Sequence, residues 1–211
     1  MAEFTGFPLW GPQFYDELER HNDREFWAAH KAQWERDVRD PMRALVAALE
    51  TEFGPATVFR PHRDLRFSPD KSPYKTHQGA IVGPAPGFGY YVGLDADGLI
   101  VGGGFRTHST AQTDRFRKAV DADDGDILPA IVGALVGQGY ALDAASLKTQ
   151  PRGYPADHPR IDLLRRKELM AITNIGTPPW LPTAAALDHV REMWRQIRPL
   201  AQWVITNVGT D

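Results

Sequence analysis

Gly89-Tyr90-Tyr91-Val92-Gly93-Leu94-Asp95-Ala96-Asp97-Gly98-Leu99-Ile100-Val101-Gly102-Gly103-Gly104-Phe105 is the stretch that decides the fold. Two strand-like runs, 89–94 and 99–105, flank Asp95-Ala96-Asp97-Gly98, a good hairpin turn signal. Strands joined by so short a turn pair antiparallel. Further extended segments are read at 57–60, 65–68 and 78–82, so the middle of the chain is a block of strands. Pro84-Ala85-Pro86-Gly87 reads as a hairpin tip inside that block.

Working outward, the first third reads as helical. Gly11-Pro12 opens a segment with Phe14 and Leu18 four apart, and proline suits a first helical turn. His21-Asn22-Asp23 breaks it, and Asp23 can cap the next helix, which carries Trp27, Trp34 and Val38. Asp40-Pro41 is read as a restart. Met42, Leu45, Val46, Leu49 and Phe53 then form the clearest amphipathic stripe, stopped by Gly54-Pro55. After the strands, helices are expected from 109 or 110 to 120, at 127–136 and at 161–168, with strands at 140–142 and 169–174. A last helix begins near Thr183, and Pro199 is expected to bend or break it. Helices, then strands, then helices with isolated strands favour an α+β fold: a central antiparallel or mixed sheet covered by helices, one domain over 1–211.

Composition narrows the function classes. The apolar share is 42% and the charged share 24%, ordinary for a globular chain that buries its own core. Without cysteine there are no disulfides, thiolates or Cys-ligated metals, which fits a cytoplasmic setting. No signal-like start and no long apolar run is present, so no membrane association is expected. The net charge of −3 speaks against a global nucleic-acid surface, without excluding a local one.

Against that acidity stands one dense segment, Arg60-Pro61-His62-Arg63-Asp64-Leu65-Arg66-Phe67-Ser68-Pro69-Asp70-Lys71-Ser72-Pro73-Tyr74-Lys75-Thr76-His77. Five Lys/Arg against two Asp give it +3, so the rest of the chain carries −6. A cationic island focuses field on an anion. Arginine offers a planar fork, lysine a mobile charge, and hydroxyls add neutral donors. The expected function is that of an enzyme or binder of an anionic, phosphorylated small molecule. Arg63, Arg66, Lys71 and Lys75 bind the anion, Ser72 and Tyr74 orient it, and Asp64 or Asp70 is the local candidate for a general base. Two other readings stand beside it. The segment could serve a nucleic-acid or protein interaction module, stacking a single strand on Phe67 and Tyr74. It could also be a purely structural network in which the aspartates pair with the arginines.

Phe4-x-Gly6-Phe7, the run from Arg63 to Lys75, Tyr90-Tyr91 before a hairpin, and Leu147-Lys148-x-x-Pro151-Arg152-Gly153-Tyr154 with His158-Pro159 together resemble a widespread bacterial and fungal family catalogued as a conserved domain of unknown function. The resemblance covers nearly the whole chain. It implies one complete domain in which the two basic segments are hallmarks, and it carries no established activity. The chain departs from the pattern at Arg106-Thr107-His108, where a proline-containing stretch is expected. Lys148, Arg152, Tyr154 and His158 of the second hallmark join the candidate ligand-binding residues. The two basic loops are expected to meet in one pocket.

Other signals are weaker. Gly102-Gly103-Gly104 before a helix could cradle phosphate, but neither GxGxxG nor the Walker pattern is met, and a close backbone crossing or a bulge explains the glycines better. The seven histidines lack ligand spacing, and Asp121-Ala122-Asp123-Asp124-Gly125-Asp126 has its glycine at the wrong place for a calcium loop; neither a metal nor a cofactor is expected.

Overall fold

A computed structural model of the protein describes residues 3–64, 66, 70–85, 87–106, 109–122, 126–142 and 147–209. The elements are α1 (Trp10–Arg20), α2 (Arg24–Trp34), a π-helical turn (Glu35–Arg39), α3 (Asp40–Phe53), β1 (Ala56–Val58), β2 (His77–Ala85), β3 (Phe88–Asp95), β4 (Gly98–Arg106), α4 (Thr110–Asp121), α5 (Ile127–Gly137), β5 (Ala141–Leu142), α6 (Ile161–Leu164), β6 (Glu168–Gly176) and α7 (Ala185–Asn207). The fold is α+β. One six-stranded sheet has the order β1-β2-β3-β4-β6-β5. β1 pairs antiparallel with β2, Ala56 opposite Val82, and β5 pairs antiparallel with β6, Ala141 opposite Ile172. Hairpins join β2 to β3 and β3 to β4, the latter the one read from the 89–105 stretch; Asp95 Oδ1 caps it by accepting from the N–H groups of Asp97 and Gly98.

The chain divides into two compact units, each described by itself. The first comprises 1–82, 91–101 and 174–192. Asp23 caps α2 as expected, its Oδ1 accepting from Glu25 and Phe26 N–H at 2.9 and 2.8 Å. The predicted stripe Met42, Leu45, Val46, Leu49 and Phe53 is buried, and Gly54 ends α3 at φ +103°. The restart at Asp40-Pro41 is not a break. Helix runs without interruption from Arg24 to Phe53 through the π turn, in which the Asp40 N–H reaches back five residues to the Glu35 carbonyl. Proline at 41 cannot donate to the carbonyl four residues back and would crowd it; a wider turn just before it relieves that conflict. The Phe4-x-Gly6-Phe7 hallmark is a packing feature. Gly6 lies at φ +119° with its missing Cβ only 2.3 Å from the Pro182 carbonyl carbon, while Phe7 is fully buried and its N–H donates to Leu181 O at 2.9 Å.

The second unit comprises 83–90, 102–173 and 193–211. Phe105, Phe116 and Trp203 form an aromatic row with centroid spacings of 5.4 and 6.3 Å, and Tyr90 lies 5.5 Å from Trp194. Ser109 caps α4, and Pro129 is accommodated in the first turn of α5. The glycine run is not a phosphate cradle but part of β4. A Cβ on Gly102 would meet Ala171 O at 2.7 Å, and one on Gly104 would meet Leu169 O at 2.1 Å, so the glycines admit the backbone of β6. The helix expected over 161–168 stops at Leu164, because Glu168 already belongs to β6. Pro199 does not break α7: Trp194, Ile197, Leu200, Ala201 and Val204 bury a continuous stripe on both sides of it. Leu65, Phe67 and Ser68 of the expected 65–68 strand, Pro86 of the hairpin tip, Thr107-His108, and residues 123–125 of the acidic loop lie outside the described residues.

Candidate functional site: a cationic cleft beside a paired loop

The charged segment folds as a loop pinned at its base. Arg63 N–H donates to Pro73 O at 3.0 Å and Lys75 N–H to Pro61 O at 2.8 Å, making an antiparallel bridge between His62 and Tyr74. Asn22 holds Tyr74 from outside the loop: its Nδ2 donates to Tyr74 O at 2.9 Å and its Oδ1 accepts from Tyr74 N–H at 3.0 Å. The Tyr74 ring is buried, stacked on Trp27 of α2 at 4.3 Å and 11°. Tyr74 therefore anchors the loop to a helix, a role its position in the sequence does not reveal.

The loop cations are largely answered within the loop. Arg66 forks onto Asp64, with Nη2 2.6 Å from Oδ2 and Nε 2.9 Å from Oδ1, and Arg63 bridges to Asp70. The Arg66 guanidinium lowers the Asp64 pKa. The Ser72 N–H and hydroxyl, which both donate to Asp70 Oδ1, lower that of Asp70 first, with Arg63 adding to the shift. Carboxylates held in this way are stabilised in the ionised form and direct their oxygens to partners within the loop. Ser72 is turned toward Asp70 rather than toward an open site. Lys75 places its ammonium 5.1 Å over the Phe59 ring, and burial followed by the Arg60 charge lowers its pKa.

Beside this loop, within the same unit, lies a cleft of about 580 Å³ walled by α2, the π turn, α3 and the 58–62 stretch. Arg24, Lys31, Arg39, Arg43 and Arg60 line it, with Glu35 as the one carboxylate and Trp27, Trp34, Phe59, His62 and Tyr74 as the aromatic wall. Arg39 donates to Glu35 Oε1 at 2.5 Å and to Asp40 Oδ1 at 3.0 Å, and Arg43 lies 4.0 Å from Asp40. Arg24, Lys31 and Arg60 have no carboxylate within ion-pair distance among the described residues, and Arg60 meets the Asp64 charge only at longer range. Of the segment singled out from sequence, Arg60, Pro61, His62 and Tyr74 line this cleft, whereas Arg63, Arg66, Lys71, Ser72 and Lys75 do not. Residues 24, 27, 28, 31, 34 and 35 follow the spacing of one helical face, so periodicity could have exposed this wall. Tryptophans at helical spacing ordinarily mark a core face, which masks the cations that stand between them.

The second hallmark loop belongs to the other unit. Lys148 and Arg152 are exposed there. His158 is engaged at both ring nitrogens. The Arg160 N–H donates to Nδ1 at 3.0 Å, which puts the ring proton on Nε2, and Nε2 donates to Asp121 Oδ1 at 3.0 Å. Arg160 completes the tie to Asp126 at 2.7 Å and to Asp121 O at 2.7 Å. Tyr154 packs edge-on to His158, and burial, with the Asp121 charge, raises its pKa. His158 is thus a fastener between the start of α6 and the end of α4.

Among the described residues no group of three or more His, Asp or Glu is placed to hold a metal, and no helix is long and apolar enough to cross a membrane. Comparison with curated proteins and with solved structures found no match. Residues 12–203 match the model of a family described as conserved hypothetical protein (DUF2461), and the chain belongs to that family.

Proposed function

We propose that the protein binds an anionic, phosphorylated small molecule in the cleft between α2, α3 and the 58–62 stretch. The observation that carries this reading is the contrast between neighbouring cations. Arg63 and Arg66 of the loop are in direct ion pairs with aspartates, whereas Arg24, Lys31 and Arg60 line a cleft with no direct ion pair among the described residues. Like charges gathered in one concavity repel, and an anion relieves that repulsion while gaining charge-assisted hydrogen bonds. Aromatic walls lower the local dielectric and strengthen the attraction. The loop itself, with its internal pairs, supports the structural reading of the charged segment and frames the cleft through Arg60, His62 and Tyr74.

A thermal-shift panel of nucleotides, sugar phosphates and polyphosphates tests the proposal. A rise in the unfolding midpoint that grows with ligand concentration is the expected result. No stabilisation by any member of the panel would remove it.

A further inference from the structure

The cleft wall holds one feature that a purely anionic ligand would find unfavourable: the carboxylate of Glu35. It is held in place by a chain of anchored groups. Buried Tyr15 accepts from Trp34 Nε1 at 3.0 Å, the Arg39 guanidinium lies 5.8 Å from the Trp34 ring centroid, and Arg39 grips Glu35 Oε1 at 2.5 Å. Glu35 is not required to balance Arg39, which already reaches Asp40 at 3.0 Å. Only Oε1 is engaged; Oε2 has no partner among the described residues. The π turn that begins at Glu35 puts this residue and Arg39 on the cleft, and such turns are frequent at functional sites.

We infer that Glu35 is a specificity residue that accepts hydrogen bonds from hydroxyl groups of the ligand, so that the cleft takes a phosphorylated polyol, such as a sugar phosphate or the ribose-phosphate part of a nucleotide. This rests on the anion-binding reading above. A carboxylate facing a phosphate repels it, but facing a hydroxyl pair it accepts two charge-assisted bonds. Phosphate oxygens then go to Arg24, Lys31 and Arg60 while the hydroxylated part meets Glu35. A site built this way rejects an analogue lacking the hydroxyls, because its acceptor is left unpaired.

The experiment compares glucose phosphate, cyclohexyl phosphate and inorganic phosphate by calorimetric titration of the wild type and Glu35→Gln. Cyclohexyl phosphate keeps the ring and the charge and lacks the hydroxyls. The wild type is expected to prefer glucose phosphate over cyclohexyl phosphate by about tenfold or more. Glu35→Gln is expected to lose most of that preference while binding inorganic phosphate as well as or better than the wild type, which also shows that the variant is folded. Equal wild-type affinities for the two ring phosphates, or an unchanged preference in Glu35→Gln, would overturn the role of Glu35 and leave anion binding standing. Absence of binding by all three probes to the wild type would overturn the anion-binding reading, and this inference with it.

Discussion

Tyr74 and Trp27 stack with their ring centroids 4.3 Å apart and their planes 11° from parallel, and this contact fastens the charged loop to α2. Asn22 adds two hydrogen bonds to the Tyr74 backbone. Tyr74→Ala should therefore cost about 3–5 kcal/mol in urea unfolding, the range for removing a buried aromatic ring, and Tyr74→Phe about 1 kcal/mol or less. A Tyr74→Ala variant as stable as the wild type would show that the stack does not hold the loop.

The exposed pairs should behave differently. Arg66 and Asp64 stand in solvent, where side-chain entropy and screening offset most of an ion pair's attraction. Arg66→Ala is expected to leave both the thermal midpoint and anion affinity unchanged. Arg60→Ala, at the cleft, is expected to weaken the affinity about tenfold with the fold intact. Loss of binding in Arg66→Ala alone would return the site to the loop.

Acid stability has a marker in His77. Burial, followed by the charge of Lys75, lowers its pKa below the ordinary 6.5, with Asp95 opposing. The folded state thus binds this proton less readily than the unfolded chain. The resulting stability is present above pH 6.5 and is lost as pH falls through the folded pKa. His77→Gln should flatten the decline in unfolding free energy on the acid side of pH 6.5. A decline of unchanged slope would show that other groups govern it.

Two glycines make a controlled comparison. Gly104 sits at φ +154° against the β6 backbone, so Gly104→Ala should destabilise by about 3 kcal/mol or more. Gly133 lies inside α5 with nothing within 4 Å of a Cβ. Gly133→Ala should stabilise by about 0.5–1 kcal/mol through reduced unfolded-state freedom. Chemical denaturation of the two variants checks both signs.

The hairpin stretch 89–105 and the stripe from Met42 to Phe53 were legible because periodicity and turn chemistry act locally. Asp23 as a cap was readable for the same reason. The continuity of helix across Pro41 was not, because a π turn leaves no residue-type signature and a proline ordinarily signals a start. At the site, the residue types of the charged segment were visible but not their pairing. Whether Arg63 faces Asp70 or a ligand is set by how the loop folds back on Pro61 and Pro73. Arg24, Lys31, Glu35, Arg39 and Arg43 are dispersed over 20 residues and gather only when the helix faces the 58–62 stretch. Local density of charge thus marks the loop cations that pair with aspartates, whereas Arg24 and Lys31 of the cleft lie outside that dense segment.

Titration of pyrophosphate into the wild type, the Arg24→Gln/Lys31→Gln/Arg60→Gln triple variant and Arg66→Gln, by calorimetry at fixed ionic strength, tests the cleft most directly. The account predicts that the triple variant keeps its thermal midpoint and loses about 100-fold or more in affinity, whereas Arg66→Gln binds as the wild type does. A triple variant that binds pyrophosphate as tightly as the wild type would contradict it.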